Sequence, residues 1–348
     1  FDPMTGGTGP ATPEPALLDA AAAGDEHAFR RLVEPHRSEL HAHCYRMLGS
    51  LHDAEDAVQE TMLRAWRGLP RFAGPRRLRP WLYKIATNVC LNVIARRPRR
   101  RLPTDRGSPA RPDDDPGRPI TESVWIEPYP NEQIAVDDGY AAPEARYEQR
   151  EAVELAFIAA LQHLPATQRA VLILRDVLGF SAHEVAATLN TTTAAVNSAL
   201  QRARNTTDDR LPERSQQSTL RALGDTQVRE LVTRYTEAWE RGDVAAITAM
   251  LADDATFAMP PYALWWRGRD VIAAFAAEPV HRYLPTRANG QPASAAYRWN
   301  PNRQRYIAEA LEVLTLDGTH VKQMTAFMTP EIFPHFSLPE ALPQRHTT

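Results

Sequence analysis

Ser181 to Arg204 reads SAHEVAATLNTTTAAVNSALQRAR, two short helical patterns separated by a tight polar turn. Ser181 followed by Glu184 forms a capping box that opens the first helix, with Val185, Ala186 and Leu189 inward. Asn190 stands where the chain must turn, and Asn tolerates the left-handed conformation better than most residues. Thr192 caps a second helix whose inward stripe is Val196, Leu200 and Ala203. Its outer face carries Thr193, Asn197, Ser198, Gln201, Arg202 and Arg204, donors and acceptors suited to base edges and phosphates in a major groove. The pattern predicts a helix-turn-helix. Helix pairs with polar outer faces also occur as plain solvated surface, so the preceding stretch matters. LPATQRAVLILRDVLGF, Leu164 to Phe180, supplies a buttressing helix with Val171, Leu172, Leu174, Val177 and Leu178 as its wall.

A chain of 348 residues carries two or three domains. Its net charge of −3 argues against a nucleic-acid binder only if taken globally. Arg76, Arg77, Arg79, Lys84, Arg96, Arg97, Arg99, Arg100, Arg101 and Arg106 crowd one zone, and the local field decides binding. The two cysteines, Cys44 and Cys90, lie in helical apolar patterns, which gives no disulfide framework or zinc ribbon and fits a reducing cytoplasm. Neither a membrane-spanning apolar run nor a signal-peptide pattern is read, so the expected location is cytoplasmic. His41, His43 and Cys44 lack a metal-ligand spacing and read as packing residues; no metal and no cofactor is expected.

The first domain, 15–98, is helical throughout. Between Ser50 and Leu69, Val58, Met62, Ala65, Trp66 and Leu69 share one face, while Asp53, Asp56, Gln59, Glu60 and Arg64 project elsewhere. Leu78 to Arg97 buries Leu82, Ile85, Ala86, Val89 and Val93 and exposes Lys84, Asn88, Asn92, Arg96 and Arg97, with Trp81 near its start. A basic face with amides and an aromatic suits single-stranded DNA, although Trp81 serves equally well as a core anchor. From 99–143, nine prolines counted from Pro98 to Pro143 and a run of acids from Asp113 to Asp138 read as an extended acidic linker without a core of its own. Trp125, Ile126 and Tyr129 interrupt it, either as a docking point on a neighbouring domain or as a short packed turn. The helical domain holding the helix-turn-helix spans 144–210.

DAEDAVQETMLRAW, then RPWLYKIATNVCLNVIARR, a linker and LPATQRAVLIL resemble, over Asp25 to Arg210, a sigma factor of the extracytoplasmic-function group. The resemblance implies that Asp56, Gln59 and Glu60, with Arg64, meet the clamp helices of the polymerase β′ subunit, with the β subunit as a further partner. It implies that Arg76, Arg77, Trp81, Lys84, Asn88, Asn92, Arg96 and Arg97 engage the melted minus-ten element, and that the loop Phe72 to Pro80 holds a flipped base. It assigns Thr192, Thr193, Asn197, Ser198, Gln201, Arg202 and Arg204 to the minus-thirty-five element. Relatives often carry Lys or Arg where Asn197 and Ala199 stand here, so this helix is expected to depend on amide and hydroxyl contacts.

The tail, 218–340, is a third domain. Asp225 to Arg241 is an amphipathic helix, Val244 to Leu251 a second, Thr256 to Met259 a strand and Asp270 to Ala277 a helix. Tyr283 to Ala288, Ala293 to Trp299, Tyr306 to Leu316 and His320 to Met328 alternate as strands, with Asp317 and Gly318 as a hairpin turn. The order predicts an α+β domain. With RANGQPA at Arg287 to Ala293 and MTPEIFPHFSLP near the end, it resembles the SnoaL-like branch of the NTF2-like fold, as in SigJ-type and SigG-type sigma factors. The fold class expected is therefore multidomain: two all-α sigma domains and a cone-shaped α+β SnoaL-like domain.

The resemblance implies an apolar cavity lined by Trp239, Phe257, Met259, Tyr262, Trp265, Trp266 and Phe275, open to an unidentified small molecule. Asp253, Asp254, Asp270 and His281 are the acid and base groups available to it, none in a catalytic spacing, and the chain is not expected to be an enzyme. The tail is expected to control the sigma domains from within the chain, with no separate anti-sigma factor. Asn289 and Gly290 are the candidate interdomain contact, or else a plain hairpin turn; inhibition and activation both remain open. The rival readings are a multidomain enzyme with a catalytic tail and a helix-turn-helix regulator that binds duplex DNA without polymerase. Neither gives the acidic helix around Gln59 and Glu60 a use.

Overall fold

A computed structural model describes residues 14–72, 78–122, 124–134, 151–277 and 281–344. The first domain is four helices: α1 (Glu14–Ala22), α2 (Glu26–Leu48), α3 (Leu51–Gly68) and α4 (Leu78–Ile94). Caps set their ends. The Asp25 carboxylate accepts from the His27 and Ala28 amides, and Ser50 Oγ accepts from the Asp53 amide to open α3. Between α2 and α3 stands Gly49 at φ 67, where any side chain would be strained and would crowd Gln162. Asp53, expected on a projecting polar face, is instead buried at 7% exposure, because Arg97 and Arg100 converge on its carboxylate.

The second domain has α5 (Leu155–His163) and α6 (Ala166–Leu172), the latter running on as a π-helical turn over Ile173–Val177. The helix-turn-helix follows as α7 (Ala182–Leu189) and α8 (Thr193–Asp208). Its local signals are realised: the Ser181 and Glu184 capping box has both bonds, Asn190 is left-handed at φ 51, and Thr192 Oγ1 accepts from the Ala195 amide. Ala199, compared above with outward positions of relatives, is buried at 7% exposure beside Leu200, so a long cation does not fit there without displacing the core.

The C-terminal domain opens with a helix that the sequence reading omitted, α9 (Gln216–Leu223), then α10 (Asp225–Arg241), α11 (Val244–Met250) and α12 (Arg269–Ala273). Its strands are β1 (Leu251–Ala258), β2 (Trp265–Arg267), β3 (His281–Ala288), β4 (Gln291–Asn300), β5 (Arg305–Asp317), β6 (His320–Phe327) and β7 (Ala341–Pro343). The sheet order is β2-β1-β6-β5-β4-β3, with β7 on β5. Only β1 and β6 run parallel among these pairs; the rest are antiparallel. Strands β2 and β7 have three residues each, too short for alternation to register. Asp317 pairs with His320, so the β5–β6 turn is Gly318 and Thr319, one residue later than read.

The linker departs most from expectation. Its described part is strapped down rather than floppy, and Trp125, Ile126 and Tyr129 are buried. Arg101 pairs with Trp125 in a bridge, and the Glu127 amide donates to Gly49 O at 3.0 Å. Further along, the Ala110 amide donates to Trp265 O at 2.7 Å, while Trp265 Nε1 and Trp266 Nε1 donate to the Gly107 and Arg111 carbonyls. Proline-rich composition removes internal pairing but leaves carbonyls free to accept from neighbouring domains. Tyr45, Ile126, Leu155, Ala293, Tyr297 and Phe333 consequently belong to one continuous apolar core shared by all three domains.

Candidate nucleic-acid and interdomain interface

On α8, Thr192, Thr193, Asn197, Ser198, Gln201 and Arg202 are all exposed, while Val196, Leu200 and Ala203 are buried. Gln201 Nε2 donates to Asn205 Oδ1 at 2.9 Å. Arg204 is also exposed but committed, its Nε and Nη2 donating to the two oxygens of Asp176 at 2.8 and 2.7 Å. The available contacts on this helix are thus hydroxyls, amides and one free-standing guanidinium, a set that reads bases more than it neutralises phosphates.

On α3, Asp56, Gln59 and Arg64 are exposed and Glu60 half-buried, spaced to form one stripe. Arg64 Nε donates to Glu60 Oε1 at 2.6 Å, and Leu63 beside them is 51% exposed. That face is open for a protein partner. The α4 face is not. Lys84 Nζ donates to Ala187 O of α7 at 2.9 Å, and the Tyr83 ring meets Phe180 edge-on at 5.3 Å. Arg79 lies over the Phe180 ring at 5.1 Å and donates to Glu39 at 2.9 Å. Asn88 Nδ2 donates back to Lys84 O, Arg97 pairs with Asp53, and Asn92 and Arg96 remain exposed. Trp81 is half-buried and stacks on Phe72 with centroids 4.6 Å apart. Arg76 and Arg77 lie outside the described residues, as does 73–77 of the loop expected to take a flipped base.

The junction is built on the β3–β4 turn. Asn289 and Gly290 both have positive φ, 56 and 71, the conformation a two-residue hairpin needs. Yet Asn289 is wholly buried. Its amide donates to Tyr129 O at 2.8 Å and its Oδ1 accepts from Tyr129 N at 2.9 Å. Its Nδ2 donates to Tyr45 Oη at 2.9 Å and to Val153 O at 2.8 Å. One side chain therefore joins α2, the linker and the approach to α5. Gly290 N donates to Asn131 Oδ1, Gln217 Nε2 donates to Gly290 O, and Gln291 Oε1 accepts from the Leu155 amide at the start of α5.

Glu127 does comparable service on the other side of Tyr45. Its Oε2 accepts from Ser50 Oγ and the Leu51 amide at 3.0 and 2.9 Å, an anion at the α3 N-terminus. Burial works to raise its pKa, but the bond from His52 and the charge of Arg100 outweigh it and hold the carboxyl below its usual range. Arg100, 6% exposed, donates to Trp125 O, Glu127 and Asp53. His41 Nδ1 bonds Tyr129 Oη at 2.8 Å, and burial lowers the His41 pKa to about 4. Tyr45, Glu127 and Gln291 were missed from sequence, and Arg100 was read only as part of a basic zone; the signal near Glu127 was the apolar interruption at Trp125, Ile126 and Tyr129.

Within the C-terminal domain, Phe257, Trp266 and Phe275 pack ring to ring at 5.0 to 6.1 Å, and linker residues 107–111 cover Trp265 and Trp266. Asp253 and Asp254 sit on exposed strand, paired with Arg269 and Lys322, and Asp270 is exposed. His281 pairs with Glu309. None of these four meets another. The buried acid is Glu312, which accepts from Tyr235 Oη at 3.1 Å and Ser294 Oγ at 3.3 Å, with burial raising its pKa to about 7. Among the described residues no His, Cys, Asp or Glu group is arranged to hold a metal ion.

The Sigma-70 region 2 family matches residues 32–100, Sigma-70 region 4 matches 148–206, and the SnoaL-like domain matches 232–330. The ECF RNA polymerase sigma factor SigG of Mycobacterium tuberculosis is 42% identical over 324 residues, covering 90% of this chain and 85% of that protein. The chain belongs to the extracytoplasmic-function RNA polymerase sigma factors. It binds core RNA polymerase and promoter DNA and directs promoter-specific initiation, with a SnoaL-like domain fused behind its two sigma domains. Sigma factor SigJ of M. tuberculosis shares the fold in a crystal structure, with TM-score 0.54 and 22% identity over 87% of this chain and 97% of that one. The sigma factor RpoE of Bartonella quintana, solved with the anti-sigma factor NepR, aligns with 52% of this chain and 94% of its own at 24% identity and TM-score 0.34. No helix among the described residues is long and apolar enough to cross a membrane.

Proposed function

We propose that this sigma factor rests in a closed state in which its C-terminal domain clamps the two sigma domains against each other, and that transcription requires their separation. The observation that carries the reading is the bond from Lys84 Nζ to Ala187 O, which spends a minus-ten residue on the helix-turn-helix itself. With α4 packed on α7, the two DNA-reading faces are held side by side and one is partly covered. Promoter elements one to two helical turns or more apart need them spread. The clamp is the Asn289–Gly290 turn, and its sign is inhibitory because the Asn289 bonds to Tyr45, Tyr129 and Val153 favour the packed arrangement.

In this reading Asp56, Gln59, Glu60 and Arg64 offer their open stripe to the β′ clamp helices, so polymerase captures the chain before the DNA faces part. Trp81, Lys84, Asn88, Asn92, Arg96 and Arg97, with Arg76 and Arg77, then take the minus-ten strand, and Thr192 to Arg204 the minus-thirty-five element. The C-terminal domain acts by contact, not by turnover: Asp253 and Asp254 are spent on surface pairs, and the linker covers Trp265 and Trp266. The site of action is where the polymerase is, the cytoplasm. The test is promoter-directed transcription by core polymerase with the full chain and with Asn289→Ala. Greater output from the variant supports the clamp; unchanged output with intact fold removes it.

A further inference from the structure

A cavity of about 830 Å3 lies where α2, α4, the second domain and the connector into α9 meet. One side is apolar, formed by Phe157, Leu172, Val177, Leu178, Leu211 and Pro212. Arg46 lines it too, at 4% exposure. Arg46 Nε donates to Ala152 O at 3.0 Å, and among the described residues no carboxylate forms an ion pair with its guanidinium. A buried guanidinium without an ion-pair partner is unfavourable, so the site is built to favour an anion. The other two guanidiniums on the wall are taken: Arg79 by Glu39 and Arg204 by Asp176.

The lining limits how much negative charge can enter. Five acidic side chains line it against three guanidiniums: Glu39, Glu151 and Asp176 are paired with Arg79, Arg221 and Arg204, Glu154 has its pKa raised to about 7 by burial, and Asp208 completes the set. A nucleotide or other multiply charged anion meets net repulsion there, whereas a single charge against Arg46 does not. The volume is in the range of small-molecule sites, and the apolar wall needs an apolar body.

We propose that this junction cavity binds an amphiphilic monoanion, a carboxylate head paired with the Arg46 guanidinium and an apolar body laid on Leu172, Val177 and Leu178. Arg is suited to take a carboxylate bidentately. Because the walls come from both sigma domains, the complete site exists only when they are packed, so the ligand shifts the population toward that arrangement. The direction of the effect on transcription rests on the closed state being silent; the binding itself does not.

The experiment is calorimetric titration of the full chain with sodium octanoate, octan-1-ol and inorganic phosphate, alongside Arg46→Gln, Arg46→Lys and Leu178→Glu. Octanoate is expected to bind the parent chain at least tenfold tighter than octan-1-ol or phosphate. Arg46→Gln and Leu178→Glu should each weaken it about tenfold or more, and Arg46→Lys less. Leu178→Glu leaves Arg46 in place, so the test survives a folding defect in Arg46→Gln. Absent octanoate binding, or equal binding to Leu178→Glu, overturns the site. Specific binding that also lowers transcription supports both site and closed state, while specific binding that leaves transcription unchanged keeps the site and overturns the silent closed state.

Discussion

At the scale of single residues, Asn289 holds more of the molecule together than any side chain of its size has reason to. It spends both donors and its acceptor on three different segments in a buried setting, where an unmade bond costs about 1 to 3 kcal/mol. Asn289→Asp keeps the shape and removes the two donors. It should lower unfolding stability by about 2 to 4 kcal/mol in denaturant titration. His41 gives a pH signature. Its pKa falls from 6.5 unfolded to about 4 folded, so its contribution is complete above pH 6.5 and drains away as pH falls toward 4. The parent chain should lose about 2 kcal/mol more than His41→Gln between about pH 7.5 and 5, read from denaturant midpoints at each pH. The Asn-Gly turn was legible because its signal is two adjacent residues. Its partners were not, since Tyr129 lies 160 positions away and a one-dimensional pattern carries no sign of a contact that distant.

At the scale of elements, the helix-turn-helix and the long strands were readable, because capping residues, αL positions and apolar period act within a few residues of one another. The linker was misread for the opposite reason. Lacking a period of its own, it takes its conformation from groups on other domains: the α3 N-terminus, Gly49 O and the Trp265 and Trp266 rings. Glu127→Ala should therefore cost about 1 kcal/mol of stability as a lost cap and raise hydrogen exchange at the Leu51 and His52 amides. On α8, Asn197 is exposed and bonded to nothing that folding needs. Asn197→Ala should leave stability and core-polymerase binding unchanged while cutting promoter-specific transcription about tenfold, the value of one base contact. Equal loss on all promoters would place Asn197 on phosphate instead.

At the scale of the whole molecule, the three domains share buried apolar residues instead of meeting at a polar seam. In the proposed reading separation is driven by a partner that binds the open form better, and the exposed α3 stripe is a surface that can receive one. In the proposed reading such a chain stays closed when free and opens on polymerase, without needing a flexible tether for the described linker. The most direct measurement is the distance between spin labels placed at Arg67 on α3 and Ser198 on α8, both exposed, with the native Cys44 and Cys90 buried away from the labelling reagent. One narrow distance is expected in the free chain, lengthening on binding core polymerase and broadening in Asn289→Ala. A free chain already showing the polymerase-bound distance would contradict the closed state.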